Sequence, residues 1–328
     1  MLALAAATSA MAAENGNQRY SAGIGGSDMT TPVVPGLYFQ APMVAYHASK
    51  IKGNDGKQLT TPIQVGPGTF LPAKVSIDAD TYAILPRLTY ISSHRLLGAH
   101  VGVTAMLPVV KRKADFGLTT GNPGVDPSLV SVAAGMSGSE TGIADLEVSP
   151  VMHWEIGDHQ SVTFAPTIVM PLGDFKATQR VNTGFGDYYT FRPSVQYAFI
   201  GDGWDLGGRA VMSFNTRNKD TGYYSGKIFN FDWQAMAFVS EDIRVGVQGY
   251  FVRQLQADTV TPTPANGMTQ QMLLDQKGNK ASVNAIGPAV AWLMNGGEML
   301  IEGKFIKEFG AKNRTEGQAF WLTISKPL

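Results

Sequence analysis

Hydrophobic and polar positions alternate along most of the chain with a period of two, the pattern of strands with one apolar and one polar face. In residues 80–91, Tyr82 and Tyr90 bracket an apolar face, and Arg87 falls on the opposite, polar face. The two tyrosines are eight positions apart, which corresponds to about 26 Å of extended chain. Allowing for strand tilt, this span matches the apolar band of about 25 Å, flanked by aromatic girdles, of an outer-membrane β-barrel.

Twelve segments share this alternation, and the connections between them are alternately short and long. A soluble β-sandwich also alternates, but its loops are not sorted by length in this way. We therefore predict an all-β fold: a transmembrane antiparallel up-and-down β-barrel of about 12 strands within residues 36–328, with short periplasmic turns and longer extracellular loops. The segments are 36–49, 76–91, 98–111, 142–156, 160–174, 188–200, 205–217, 227–240, 243–256, 281–294, 298–309 and 317–326, and the long connections are 50–75, 112–141, 175–187, 218–226, 257–280 and 310–316.

The N-terminal region precedes the first predicted strand. Residues 1–13 are apolar and small and end in Ala10-Met11-Ala12-Ala13, which favours a secretory signal peptide cleaved after Ala12 or Ala13 over a frayed terminal helix. Its basic start is missing, so we expect the true start to lie upstream of the recorded one. Residues 14–35 are predicted to be either a periplasmic leader or a plug inside the lumen. A plug is favoured because this stretch leads through prolines directly into the first strand.

Composition narrows the function classes. Charged residues make up 16% of the chain, below the roughly 25% of soluble globular proteins. The formal net charge is zero, which argues against nucleic-acid binding, and the absence of cysteine excludes disulfides and thiolate metal sites. No apolar stretch reaches the length of about 18 residues that a membrane-spanning helix needs.

The strand parity places charged and polar side chains on the inner face of the predicted barrel. One interpretation is that these charges pair across the lumen, because an isolated charge at membrane depth is costly. The other is that they form a constriction that selects solutes. Four positive charges balance four negative ones, which argues against strong ion selectivity. The candidate lining residues are Arg87, Asp145, Glu147, Arg192, Gln196, Arg209, Asp232, Gln234, Gln248, Tyr250, Glu302 and Lys304.

Prolines occur inside several predicted strands, where each removes a ladder hydrogen bond. They either bend the wall locally or open a gap through which an apolar solute leaves sideways into the lipid. Pro86, Pro166 and Pro193 are the candidates for such a lateral opening. Pro42, Pro150 and Pro288 are also predicted inside strands, and Pro108 lies near the end of one.

Catalytic chemistry has little support. His47 and Ser49 share one strand face, as in twelve-stranded outer-membrane phospholipases, but the sequence shows neither an orienting third group nor an oxyanion hole. The remaining histidines have no metal-ligand spacing. We therefore predict no catalytic residue, no metal and no cofactor.

Several short blocks together resemble an outer-membrane β-barrel family named for the meta-pathway of phenol degradation, from about residue 14 to the C-terminus. The resemblance implies a fold similar to the hydrophobic-compound channels of the fatty-acid and toluene transporter type. It supplies no established functional residues, and the ending Ser325-Lys326-Pro327-Leu328 lacks the usual terminal aromatic of barrels. The blocks are Glu14-Asn15-Gly16, 35–39 (PGLYF), 145–150 (DLEVSP), 221–226 (TGYYSG), 246–250 (GVQGY), Gly287-Pro288 and 313–317 (NRTEG).

The function expected from this resemblance is passive uptake of small hydrophobic or aromatic compounds across the outer membrane of a Gram-negative cell. The partners would be outer-membrane lipid and lipopolysaccharide together with the solute, and not nucleic acid. A general diffusion porin without substrate preference, and a structural or adhesive barrel without a transport role, stay open as alternatives. The oligomeric state is also open.

Overall fold

The computed structural model describes residues 13–16, 18–261 and 280–328. The predicted signal peptide, residues 1–13, therefore lies outside the described residues except for Ala13.

The described chain forms a closed antiparallel β-barrel, in which each wall strand pairs with its sequence neighbours and β18 pairs with β1. β3 and β4 together form one wall strand, as do β5 with β6 and β7 with β8. Counted in this way, the wall has 12 strands in the described chain, which confirms the predicted architecture. The strands are β1 (Gly36–Lys52), β2 (Thr60–Gly66), β3 (Thr69–Ile84), β4 (Arg87–Leu96), β5 (Ala99–Met106), β6 (Val109–Thr119), β7 (Gly138–Ile143), β8 (Leu146–Ile156), β9 (Gln160–Met170), β10 (Thr190–Gly201), β11 (Trp204–Asn215), β12 (Tyr223–Tyr224), β13 (Ile228–Phe238), β14 (Ile243–Gln254), β15 (Thr259–Val260), β16 (Ser282–Met294), β17 (Met299–Lys312) and β18 (Arg314–Pro327).

Alternation along each strand separates an apolar outer face from a polar inner face. In β10, Phe191, Val195 and Tyr197 remain 46–51% exposed on the outside, while Arg192 between them points inward and is 5% exposed. Large apolar side chains are exposed in the same way on most other wall strands. Contact of these apolar side chains with lipid is favourable and contact with water is unfavourable, as on the outer face of transmembrane barrels.

Three wall strands are interrupted at one height, which the sequence did not predict. The segments expected as continuous strands at 76–91, 98–111 and 142–156 break at residues 85–86, 107–108 and 144–145. Pro86 and Pro108 therefore lie between strands and not inside them, because a proline without an N–H ends the ladder there. Backbone bonds such as Ala144 N–H to the carbonyl of Pro108, 2.8 Å, still hold the wall together.

The long connections carry structure that the sequence analysis assigned to loops. β2 forms a hairpin with β3, β12 pairs with β15, and residues Asp126–Met136 form helix α1. The Asp126 carboxylate accepts hydrogen bonds from Thr120 N–H and Gly121 N–H, and Leu129 and Met136 pack on the apolar cluster beside β6. Among the described residues no helix is long and apolar enough to cross a membrane.

Candidate functional site

Residues 18–31, here called the lumenal segment, contact inward-facing side chains of the barrel wall. The carboxylate of Asp28 accepts hydrogen bonds from Arg87 on β4, 3.2 Å, and from Arg209 on β11, 2.9 Å. These two strands are separated by four other wall strands on the shorter way round the barrel, so Asp28 bridges positions of the wall that are not neighbours. Gln196 on β10 also donates to the carbonyl of Met29, 2.6 Å. The segment therefore contacts the inner face of several strands at once.

Asp232 on β13 holds the middle of the lumenal segment. Its carboxylate accepts hydrogen bonds from the Tyr20 hydroxyl, 2.7 Å, and from the backbone N–H groups of Gly23, 3.1 Å, and Gly25, 2.9 Å. The residue is completely buried. A buried carboxylate needs several donors, and here the lumenal segment provides three of them.

Two charged residues of β17 hold the next turn of the segment. Glu302 accepts a hydrogen bond from the Ser27 N–H, 2.7 Å, and another from the Gln248 side chain, 2.8 Å. Lys304 donates to the carbonyl of Gly25, 2.6 Å, and is 2% exposed. Asp232, Glu302 and Lys304 thus each form hydrogen bonds with the backbone of the lumenal segment.

The opposite end of the segment is held by arginine–carboxylate pairs. Arg19 pairs with Asp145, 2.8 Å, and both side chains are only 2% exposed. Arg192 forms an ion pair with Glu147 and also donates to the carbonyl of Arg19, 3.0 Å. The pairs form between residues far apart in sequence, so only the fold reveals them. They favour the interpretation in which the inward charges pair across the lumen.

Several inward polar residues were missed by the sequence analysis. Asp205 pairs with Arg244 and accepts from Gln234, and Glu308 accepts from Tyr250, 2.7 Å. Glu308 lies on the same strand face as Glu302 and Lys304, so strand parity could have identified it. Arg19 and Asp28 lie outside the strands, where no alternation exists to mark them.

Two cavities lie beside the lumenal segment on one side of the barrel, within the part of the chain that the structure describes. The larger, about 220 Å³, lies towards the short turns among β4, β5 and β8–β11, and the smaller, about 80 Å³, lies towards the long loops beside the three strand breaks. Of the predicted lining residues, Arg87, Glu147, Arg192, Gln196 and Arg209 line the larger cavity, and Asp145 and Glu147 line the smaller. The remaining candidates, Asp232, Gln234, Gln248, Tyr250, Glu302 and Lys304, line neither cavity and lie on the filled side of the lumen.

The two cavities share Ser21 and Glu147 in their linings. Because Glu147 is bound to Arg192, this ion pair lies where the cavities approach each other. Both residues are nearly buried, with side-chain exposures of 12% and 6%. The pair therefore lies between the cavity on the long-loop side and the cavity on the short-turn side.

Three prolines lie side by side in the wall next to the larger cavity. Pro166 of β9 is paired with Pro193 of β10, and the register of β8 with β9 stops at Val148 and resumes at Met152, around Pro150. The register of β10 with β11 is likewise interrupted between Phe191 and Ser194. These interruptions follow from the missing N–H groups. The lining residues Ser149, Ala165 and Ser194 are the inward neighbours of the three prolines.

His47 and Ser49 lie on the outer surface of β1, both exposed. Contrary to the sequence analysis, His47 does have an orienting partner, because its Nδ1 is 2.9 Å from the Asp80 carboxylate. With Asp78, these side chains bring three ligand-type atoms within 4.8 Å of one another on the exposed surface. Ser49 lies at a bulge of β1, and no hydrogen bond joins it to His47 in the described structure.

The closed wall, its apolar exterior and its polar, partly filled interior define a transmembrane β-barrel. The chain belongs to the family described as "Putative MetA-pathway of phenol degradation", whose model matches residues 53–324.

A solved structure agrees with this fold. The chain is similar to an outer-membrane channel from Pseudomonas putida F1, with 8% identity, 93% of this chain and 99% of the other covered, and a TM-score of 0.68. It also matches the toluene transporter TbuX of Ralstonia pickettii (10% identity, 90% of each chain, TM-score 0.41) and the β domain of the Bordetella autotransporter BrkA (7% identity, 90% and 100%, TM-score 0.46). At 8% identity the likeness to the Pseudomonas putida F1 channel concerns the fold alone. Comparison with functionally curated proteins finds no match.

Proposed function

We propose that this protein is an outer-membrane channel through which small hydrophobic or aromatic molecules pass passively. The observation that carries the proposal is the pair of cavities on the β4–β11 side of the lumen, which approach each other at Ser21 and Glu147. The larger cavity combines apolar side chains such as Ile91 and Val211 with a few polar ones, the usual lining of a small-molecule site. Family membership agrees with this proposal.

The lumenal segment acts in this proposal as a plug. It fills the side of the lumen bordered by β13, β14 and β17, where Asp232 and Glu302 accept hydrogen bonds from its backbone. A broad aqueous path is thereby removed, and a solute is directed along the side that carries the cavities. A general diffusion porin would need the opposite, a wide and continuously wet lumen.

The exit from the larger cavity is proposed to be lateral. Of the three prolines named from the sequence, Pro166 and Pro193 border this cavity through their inward neighbours, and Pro150 extends the row to β8. A wall that lacks ladder bonds at adjacent strands opens at lower cost than an intact one. Pro86, by contrast, lies at the row of strand breaks beside the smaller cavity, where Leu85 and Pro108 line it.

Uptake by cells tests the proposal. Gram-negative cells that lack other hydrophobic-compound channels would express the protein, and the initial rates of entry of radiolabelled toluene and of a small sugar would be compared. The outer leaflet of lipopolysaccharide is the barrier, so intact cells are preferred to phospholipid vesicles, which toluene crosses unaided. Faster entry of toluene with unchanged entry of the sugar supports the channel. Faster entry of both indicates a general pore, and no change in either indicates a barrel without a transport role.

A further inference from the structure

The larger cavity carries an excess of positive charge. Its lining includes three guanidinium groups, those of Arg87, Arg192 and Arg209, and two carboxylates, those of Asp28 and Glu147. Arg192 and Glu147 form one pair, so Arg87 and Arg209 share the single carboxylate of Asp28. Two guanidinium groups on one carboxylate leave one positive charge in excess in this lining. A further carboxylate, Asp232, lies opposite Arg209 on β13, but it accepts its hydrogen bonds from Tyr20, Gly23 and Gly25 of the lumenal segment and does not line the cavity.

The two arginines are close together and retain free donor capacity. Their contacting nitrogen atoms are 3.2 and 2.9 Å from the same oxygen of Asp28, so these nitrogens are within about 6 Å of each other. Arg87 also donates from Nη1 to Gln40, 3.1 Å, whereas its Nη2 contacts the sulfur of Met106 at 4.0 Å. Arg209 donates from Nε and Nη2 to Gln196, 3.0 and 2.8 Å, and no hydrogen bond of its Nη1 is found among the described residues. Arg87 and Arg209 are 16% and 14% exposed, so each still reaches the cavity. A second carboxylate could therefore be bound beside Asp28 by charge-assisted hydrogen bonds.

The rest of the cavity is suited to an apolar body. Ile91, Met106, Val151 and Val211 line it near the arginines. The volume of about 220 Å³ exceeds the roughly 150 Å³ of an engineered apolar cavity that binds benzene in another protein. There is room for one aromatic ring with a small substituent.

We propose that the larger cavity binds a single-ring aromatic carboxylate, with its ring against the apolar lining and its carboxylate on Arg87 and Arg209. This inference rests on the proposed channel function and names the substrate class that the cavity prefers. The ligand supplies the negative charge that the lining lacks. A neutral molecule of the same shape leaves the guanidinium groups with their present partners and gains only the apolar contacts.

Binding to the full-length purified protein in detergent tests this inference. Benzoate and its neutral near-isostere benzamide would be compared by isothermal titration calorimetry at neutral pH. We expect benzoate to bind at least about tenfold more tightly, as hydrogen bonds between charged groups imply. Equal affinities, or no binding of benzoate, would overturn the inference. This comparison needs no variant, so it does not depend on the folding of one.

Variants then assign the binding to the two arginines. Arg87→Gln and Arg209→Gln should each weaken benzoate binding about tenfold or more and leave benzamide unchanged. Arg95→Gln is the matched control, because Arg95 is 51% exposed, pairs with Glu155 and lines neither cavity. If Arg95→Gln weakens benzoate as much as Arg87→Gln does, the assignment is wrong. Toluene uptake separates the two proposals: cells that take up toluene while the protein binds no benzoate contradict only this inference, whereas cells without toluene uptake contradict the channel function itself.

Discussion

The backbone N–H of Gly25 donates a hydrogen bond of 2.9 Å to the carboxylate of Asp232, and the two residues are too close for a side chain to fit between them. A Cβ atom on Gly25 would lie 2.9 Å from the same carboxylate oxygen. At neighbouring Gly26 a Cβ atom would lie 2.0 Å from Glu302. Because glycine has no Cβ atom, the backbone of the lumenal segment can lie directly against the charged residues of the wall at Gly25 and Gly26.

Adding a methyl group at Gly26 tests how the lumenal segment is seated. Gly26→Ala should push the segment away from Glu302, because the hydrogen bonds from Ser27 N–H and Gln248 hold the Glu302 carboxylate against the added atom. The expected loss of stability of the bound segment is about 1–3 kcal/mol. We expect larger and more frequent current steps in planar bilayers than the unmodified protein gives. Gly135→Ala is the control, because a Cβ atom there meets nothing within 4 Å. Identical currents for Gly26→Ala and the unmodified protein would show that the segment does not limit conduction.

Replacing Asp232 removes acceptors from the segment. In Asp232→Asn one of the two carboxylate oxygens becomes an amide that can only donate, so at least one of Gly23 N–H, Gly25 N–H and the Tyr20 hydroxyl loses its partner. The stability of the bound lumenal segment should fall by about 1–3 kcal/mol. Hydrogen exchange followed by mass spectrometry should show faster exchange within residues 18–31. Asp202→Asn, an exposed change in the turn between β10 and β11, should leave that exchange unaltered.

The Asp28 carboxylate should make the stability of the bound lumenal segment depend on pH. Burial by itself raises the pKa of Asp28, but the guanidinium groups of Arg209 and Arg87 outweigh it and lower the pKa to about 2, from a usual value of 3.8. A lowered pKa contributes stability above about pH 4 that is lost as the pH falls through about 2. Between these values, hydrogen exchange of the lumenal segment should accelerate more in the unmodified protein than in Asp28→Asn, whose residue 28 does not titrate. Parallel curves for the two proteins would remove Asp28 as the cause.

If a solute leaves the larger cavity sideways past Pro150, Pro166 and Pro193, replacing these prolines should change its rate of uptake. Replacing Pro166 or Pro193 with Ala restores an N–H group and allows a ladder bond, which stabilises the wall beside the larger cavity. Toluene uptake should slow in both variants. Pro86→Ala should act more weakly, because Pro86 lies at the breaks between β3 and β4. Pro288→Ala in β16 is the control, a wall proline that lines neither cavity. Unchanged uptake for Pro166→Ala and Pro193→Ala would contradict a lateral exit.

The wall could be predicted from sequence because alternation is a local property. Phe191, Arg192 and Val195 reveal the inner and outer faces of β10 without reference to any other strand. The short and long connections then imply the order of the strands. Helix α1 was missed because its apolar positions do not form a pronounced helical stripe, and it is stabilised by packing of Leu129 and Met136 on a distant cluster.

The candidate site could be predicted only in part. Strand parity identified Arg87 and Arg209 as inward charges, but nothing in the sequence connects them to Asp28, which lies in a segment without a regular pattern. Arg19 and Asp145 are likewise far apart along the chain. The division of the lumen into a filled side and an open side depends on these long-range contacts, and so it required the structure.

The most direct test of the central claim is the initial rate of toluene entry into expressing cells, measured together with that of a small sugar for the unmodified protein and for a variant lacking residues 18–31. The account predicts that the unmodified protein admits toluene but not the sugar, and that the deletion admits both. A sugar rate that is already high in the unmodified protein, or a toluene rate equal to that of cells without the protein, would contradict it.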